Sequence, residues 1–416
     1  MGGEGRLTLA NASTAILAPE DFTLAAAIEI ARQNSLQVLR AGDAQLSANA
    51  SIVLARVDAI YPELFIGSRW SRVNGVVQGS DGGLLSDIDK RNANLGASIR
   101  MSIDIAGMTH GIDAAIARAS AANWDWVNAE LAAETAAAIL YYDLLEAQAN
   151  AEIAAAAQES AAAFHSLAEA RFQAGATLET DVLRAFAYLA EARQNHVESR
   201  AAFAISSTRI AELLGLDPLI TLSPSDPLEV HELVMDVEEV SIESHPAIEA
   251  ANARLAAAKA RVAEQRTGVL FPELVLDAGY NNFGQGYRAL NRQESVSAAL
   301  AWDLSPALFA KAELVQAQLL RAEHDAEAAQ RSISAELVRA QIATLSASEL
   351  LETTLRRVDA ALAAVALERV RHEAGDALFI ELLDAEVSLR RAETAKAAAI
   401  CAHNRAQHLL RQALGG

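Results

Sequence analysis

From Asn94 to Ile105 the chain alternates. Leu95, Ala97, Ile99, Met101, Ile103 and Ile105 are apolar or small, while Asn94, Gly96, Ser98, Arg100, Ser102 and Asp104 are polar or glycine. A period of two over that length predicts a strand with one apolar and one wet face. The pattern returns in Val296, Ala298, Leu300 and Trp302 against Ser295, Ser297, Ala299, Ala301 and Asp303. It returns again in Leu274, Leu276, Ala278 and Tyr280 against Val275, Asp277, Gly279 and Asn281. Leu64, Ile66 and Trp70 alternate less cleanly with Arg69 and Ser71. The stretches Asn74–Ala93 and Asn282–Glu294 are rich in Gly, Asn and Asp and read as exposed hairpin ends.

Elsewhere the period is helical. Ala106 to Ala174 holds no proline, and glycine only at 107 and 111. A continuous helix there would run on the order of 100 Å at 1.5 Å per residue. Ala307–Ala374 matches it, and Gly175 and Gly375 stand where helices often end. Return helices are predicted over 178–214 and 377–414, and shorter ones over 24–59 and 246–270. Leu337, Ile342, Leu345 and Leu350 recur at coiled-coil-like spacing.

The elements repeat. Arg171-Phe172-Gln173-Ala174-Gly175 recurs as Arg371-His372-Glu373-Ala374-Gly375, an offset of 200. Tyr61-Pro62-Glu63-Leu64 recurs as Phe271-Pro272-Glu273-Leu274, an offset of 210, and Leu214-Gly215 as Leu414-Gly415. Asp181-Val182-Leu183 answers Glu381-Leu382-Leu383, and Ser102-Ile103-Asp104-Ile105 answers Ala301-Trp302-Asp303-Leu304. Five matches in one order make chance a poor explanation. The chain divides into an N-terminal segment 1–21, repeat 1 over 22–215 with a hairpin at 64–105, a connector 216–246, and repeat 2 over 247–416 with a hairpin at 273–304. The connector holds four of the eight prolines.

Two isolated hairpins would leave open edges and unburied apolar faces. A closed membrane barrel removes both problems, but barrels need about eight strands or more. Several chains would then have to supply strands to one barrel.

Composition narrows the classes further. Alanine is roughly a fifth of the 416 residues, well above usual usage, and aromatics are only 5%. That suits long, closely packed helices and not a thick core. No apolar run reaches the about 18 residues of a membrane-spanning helix. The net charge of −20 argues against nucleic acid. A single cysteine, Cys401, excludes a disulfide framework and cysteine-based metal sites. The nine histidines show no metal spacing, and no phosphate loop or nucleophile elbow occurs. Neither an enzyme nor a cofactor is expected. The segment Leu7–Ala18 is a poor export signal, interrupted by Asn11, Ser13 and Thr14. No cysteine near it would carry a lipid anchor, and on this segment alone a cytoplasmic protein stays open.

The chain resembles the TolC-like outer-membrane efflux proteins. The likeness rests on the doubled repeat, the two aromatic-Pro-Glu-Leu segments, Trp302-Asp303, the two Arg-x-x-Ala-Gly turns and the two Leu-Gly endings. It implies a mainly α fold with a small β part. A long α-helical coiled-coil tunnel would join four strands per chain, contributed to a trimeric twelve-stranded transmembrane β-barrel. It implies a passive duct in the outer membrane, mostly periplasmic, for efflux or type I secretion. Its partners would be a periplasmic membrane-fusion adaptor, an inner-membrane pump of RND, ABC or MFS type, and outer-membrane lipid.

The resemblance also suggests residue roles. Arg171, Gly175, Arg371 and Gly375 would form the periplasmic tip. Glu381 and Asp384, three apart on one helix face, would narrow the mouth, with Asp181 as the acid of the first half. Ala377 stands where a basic residue often helps close the mouth, and His372 where an aromatic often sits. Arg100, Ser102, Asp104, Asp277 and Asp303 would face the barrel lumen. Trp70, Tyr280 and Trp302 are candidate interfacial anchors. The rivals are a soluble Ala-rich coiled-coil scaffold and the periplasmic adaptor of such a pump.

Overall fold

The computed structural model describes residues 21–78, 83–231, 242–284, 290–302, 306–374, 376 and 379–416. The elements are α1 (Leu24–Asn34), α2 (Leu36–Ile60), β1 (Glu63–Gln78), β2 (Leu84–Ile103), α3 (Ile112–Gln173), α4 (Glu179–Leu214), α5 (Pro246–Leu270), β3 (Glu273–Gly284), β4 (Asn291–Ala301), α6 (Ala307–Ala374) and α7 (Phe379–Leu414). A π-helical turn, Gly107–Gly111, leads into α3. The fold forms two compact units. One holds residues up to Gly42, Trp126–Pro246 and Arg331–Gly416; the other holds Asp43–Asp125 and Ala247–Gln330. Each half of the chain therefore contributes to both units.

The first unit carries the helical turns. Thr23 caps α1, its Oγ1 accepting from the Ala26 N–H at 3.3 Å. The single helix expected over 24–59 is broken at Ser35, whose ψ of 126° leaves the helical region. Asn34 and Ser35 favour local side-chain hydrogen bonds over helix, and the break follows. α4 ends in a left-handed Gly215 (φ 67°), with the Leu216 N–H reaching the Ala211 carbonyl at 2.9 Å. This C-cap geometry satisfies carbonyls the helix end would orphan. Gly415 (φ 97°) and the Gly416 N–H bond to the Arg411 carbonyl repeat it at the end of α7.

The core of this unit gathers Phe22, Tyr141, Tyr142, Leu144, Ile210, Leu214, Leu222 and Cys401 among alanines. Asp226 of the connector fixes it. Its Oδ2 accepts from the Tyr141 hydroxyl at 2.7 Å and from the Leu24 N–H at 2.8 Å. Burial pushes Tyr141 upward and holds Tyr142 and the Cys401 thiol at about 12, so that thiol is inert. Arg405 pairs with Asp143 and, at 2.9 Å, with Glu146.

The second unit contains one antiparallel sheet of order β1-β2-β3-β4. Pairing of β2 with β3 joins the two hairpins. The first hairpin end is much shorter than the expected 74–93, because β1 runs through Gln78 and β2 starts at Leu84. Valines at 73 and 76 favour the pleated backbone, and Arg72 bridges Asp89 across the strands at 2.6 and 2.8 Å. The second end shortens likewise, with β3 reaching Gly284 and β4 starting at Asn291.

His408 is buried in the first unit, and its pKa falls from 6.5 to about 4, mainly through burial and then through Arg411 and His231. The unfolded chain therefore takes up a proton first as pH falls. Stability is intact above about pH 6.5 and is lost as pH drops toward 4. Urea unfolding across that window should show His408→Gln flattening the acid loss by on the order of 3 kcal/mol; an unchanged acid limb would contradict a buried neutral imidazole.

Candidate functional site

The helical turns bring the predicted tip residues together. The Gly175 N–H bonds the Phe172 carbonyl at 2.9 Å, the Ala176 N–H bonds that of Arg171 at 2.8 Å, and Gly175 has φ 71°. In the second repeat the Asp376 N–H bonds the Arg371 carbonyl at 2.8 Å, the same offset. Gly375 and Ala377 lie outside the described residues.

Charged groups cluster there. Arg171 Nη1 donates to His372 Nε2 at 2.7 Å, linking the end of α3 to the end of α6. The His372 ring lies 5.8 Å from Phe379, and Phe379 meets Phe164 edge-on at 6.2 Å. Arg371 bonds Glu368 at 2.6 Å and approaches Glu381 at 3.8 Å. Glu381 and Asp384 are both exposed on the first turns of α7. Asp384 makes no ion pair among the described residues. Asp181 is more engaged: it accepts from Thr177 Oγ1 at 2.6 Å and lies 3.7 Å from Arg184. As an acid in the first turn of α4 it also favours the helix N-terminus.

The sequence reading missed one cluster beside these acids. Glu386 is buried, with Arg369 at 3.0 Å and Arg390 at 3.6 Å. Arg390 Nε also donates to the Tyr188 hydroxyl at 3.2 Å. The only local signal was the Glu386-to-Arg390 spacing of four.

In the sheet, register decides the faces. Arg100 opposes both Glu63 and Asp277, and Asp277 opposes Ser297. This polar face carries Arg69, Ser98, Arg100, Ser102, Asn281 and Ser295, with Arg100 3.6 Å from Asp277. The other face carries Leu64, Ile66, Leu95, Ile99, Met101, Leu274, Leu276, Val296 and Leu300. Most of its apolar side chains are uncovered: Ile66 is 75% exposed and Val296 87%, while Met101 and Leu274 are half-buried. Trp70 and Tyr280 share that face. Past them it turns charged, with Arg72–Asp89 and Arg292–Glu294, and Arg292 sits 5.2 Å over the Tyr280 ring.

Two expected strand residues sit differently. Asp104 is one residue past β2, where its Oδ1 accepts from the Ala106 N–H at 3.0 Å and caps the following helix. Trp302 is one past β4 and exposed. Asp303 lies outside the described residues.

The outer membrane efflux protein family model matches residues 27–216 and 239–416. The chain belongs to the outer membrane efflux protein family. This efflux protein is 27% identical over 406 residues to the pyoverdine export outer membrane protein OpmQ of Pseudomonas putida, spanning 94% of this chain and 85% of OpmQ. Its fold is shared with the Campylobacter jejuni CmeC outer membrane channel, with a TM-score of 0.84, 15% identity, and coverage of 94% of this chain and 85% of CmeC. The Vibrio cholerae outer membrane protein VceC gives a TM-score of 0.79 at 20% identity, covering 94% and 96%. The protein is thus an exit duct of an efflux system in a bacterial outer membrane, with a mainly helical fold and a small antiparallel sheet.

Neighbouring residues of β4 test the faces. Val296 and Ser297 are both exposed in the chain and lie on opposite faces. If the apolar face meets lipid, Val296→Arg should lower the yield of membrane-inserted protein, since a cation on the lipid face of a barrel costs up to about 2–4 kcal/mol. Ser297→Arg should assemble normally. Equal yields of membrane-inserted protein for the two variants would overturn the assignment of faces.

Proposed function

We propose that three copies of the chain close one twelve-stranded barrel, and that the helical turns form a gated mouth on the periplasmic side. The open edges of the sheet carry this reading. In an order β1-β2-β3-β4 with antiparallel neighbours, β1 and β4 are themselves antiparallel. β4 of one copy can therefore pair with β1 of the next in the same sense as every pair inside the chain. Three such junctions leave no edge, as a membrane barrel requires.

The polar face then lines the lumen, with Arg100, Ser102 and Asp277, while Asp104 sits at its rim. Trp70, Tyr280 and Trp302 anchor at the water–lipid boundaries. At the helical turns, Glu381 and Asp384 form a ring of six carboxylates that attracts cations. Arg371, near Glu381, and Asp181, engaged by Thr177 and Arg184, steady the mouth. The sequence divides as two repeats joined by the connector 216–246. A periplasmic adaptor and an energised inner-membrane pump of RND, ABC or MFS type complete the system. The likeness to OpmQ, a pyoverdine export protein, supports small-molecule export. A soluble scaffold is disfavoured by the exposed apolar sheet face.

Purified in detergent, the protein should be a trimer by light scattering; a monodisperse monomer would end this reading. In planar bilayers it should prefer cations. Glu381→Gln with Asp384→Asn should weaken that preference and lower cation block from the periplasmic side. Unchanged selectivity in the double variant would show that these acids do not line the mouth.

A further inference from the structure

We propose that Arg72 and Arg91 form a binding site, one in each chain, for the phosphate of a membrane lipid in the leaflet that meets the hairpin ends. The inference rests on the barrel proposed above and adds to it a lipid that the barrel holds. β1 and β2 set the two arginines directly opposite one another, on the same face as Leu64, Ile66, Leu95 and Ile99. One step nearer the helices on that face, Trp70 opposes Ala93. The apolar strip therefore ends in a tryptophan and then in two guanidiniums. Like charges directly opposite on a ladder repel unless something neutralises them. Among the described residues only Asp89 does so, and one carboxylate cannot balance two guanidiniums. Arg72 holds it at two points, through Nε at 2.6 Å and Nη2 at 2.8 Å, and Arg91 stands 3.7 Å away. The cluster keeps a surplus positive charge, on arginine side chains that are 46% and 57% exposed.

Depth decides what that charge meets. Two residues along a strand span roughly 7 Å, or about 5 Å of height at a tilt near 45°. The polar layer on each side of the hydrocarbon is about 5–7 Å thick. With Trp70 at the water–lipid boundary, Arg72 and Arg91 stand inside that layer on the outer side of the wall, and not in bulk water. The anion on offer there is the lipid phosphate, whose oxygens match the planar guanidinium fork. The acyl chains of the same lipid would lie along the apolar strip that begins at Trp70. Arg292 is the contrast. It too lies past the aromatic border, but it pairs with Glu294 and sits 5.2 Å over the Tyr280 ring, so its charge is already balanced.

The test is to titrate the purified full-length protein in detergent with bisphosphorylated lipid A and to count retained lipid by native mass spectrometry. One lipid per chain should be retained, and the same lipid stripped of its phosphates should be held far more weakly. Arg91→Gln leaves the Arg72–Asp89 bridge intact and cancels the surplus charge, so it should weaken retention about tenfold. Asp89→Asn removes the competing carboxylate and should tighten retention severalfold. A bridge that only braces the hairpin predicts no change for Asp89→Asn, or the opposite sign. Arg292→Gln should leave retention as it was. Free inorganic phosphate in excess should not displace the lipid, which the apolar strip also holds; displacement would overturn the assignment to a lipid. If Arg91→Gln fails to assemble, Asp89→Asn and the dephosphorylated lipid decide. Retention that ignores both the phosphates and Asp89→Asn would overturn the site. The two readings fail separately: a monomeric wild type removes the barrel and this site together, whereas a trimer indifferent to the lipid's phosphates keeps the barrel and removes this site alone.

Discussion

An unpaired backbone group in hydrocarbon has no water to turn to, and the sheet of this protein has two rows of them. β1 and β4 each present an open edge, while one face of the sheet is apolar and uncovered. A soluble fold would hide the face under helices and blunt the edges with charge or short strands. Here the apolar face is left uncovered and the edge strands are long, 16 residues in β1 and 11 in β4. Closure with other copies answers both demands together. The antiparallel relation of β1 to β4 lets that closure use the pairing the chain already employs.

Once the sheet is committed to a barrel, the helical part inherits its symmetry. Whatever stands on the inner face of one protomer stands there three times. A net charge of −20 per chain becomes about −60 for three, and two exposed acids on α7 become six. Repetition amplifies small differences in exposure. Asp384, exposed and without an ion pair among the described residues, would contribute its full charge. Asp181, engaged by Thr177 and Arg184, would contribute less.

The sequence showed the periodic parts of this well. Alternation in 94–105, 274–280 and 295–302 predicted strands and, by parity, their faces. Register places Arg100 and Asp277 on one side and Trp70 and Tyr280 on the other. What it missed was aperiodic or long-range. Gly, Asn and Asp concealed the length of the first hairpin, because turn residues do not reveal that a cross-strand pair such as Arg72–Asp89 holds them in a ladder. The break at Ser35 was hidden by good helix formers on either side. Tyr188 and Arg390 lie 202 positions apart, and no spacing rule joins them. Arg371 and Glu381 meet across a turn, outside the three- and four-residue helix pairs that a sequence displays.

These long-range polar contacts matter more here than in a thick-cored protein. A leucine-rich interface resists displacement because every shift opens voids. An alanine interface has shallower interdigitation, so helices can slide or splay with less lost contact area. That suits a duct wall that must part, but it leaves the resting position poorly defined by packing. Directed bonds at a few places can define it: Arg171 with His372, Arg390 with Tyr188, and the rings of Phe164 and Phe379. A small number of exchangeable hydrogen bonds would make the proposed closed state specific and yet shallow, since each contributes only about 1–3 kcal/mol net. A partner that replaces a few of those bonds with its own could therefore open the mouth without disturbing the barrel, whose strand pairing answers to the membrane alone.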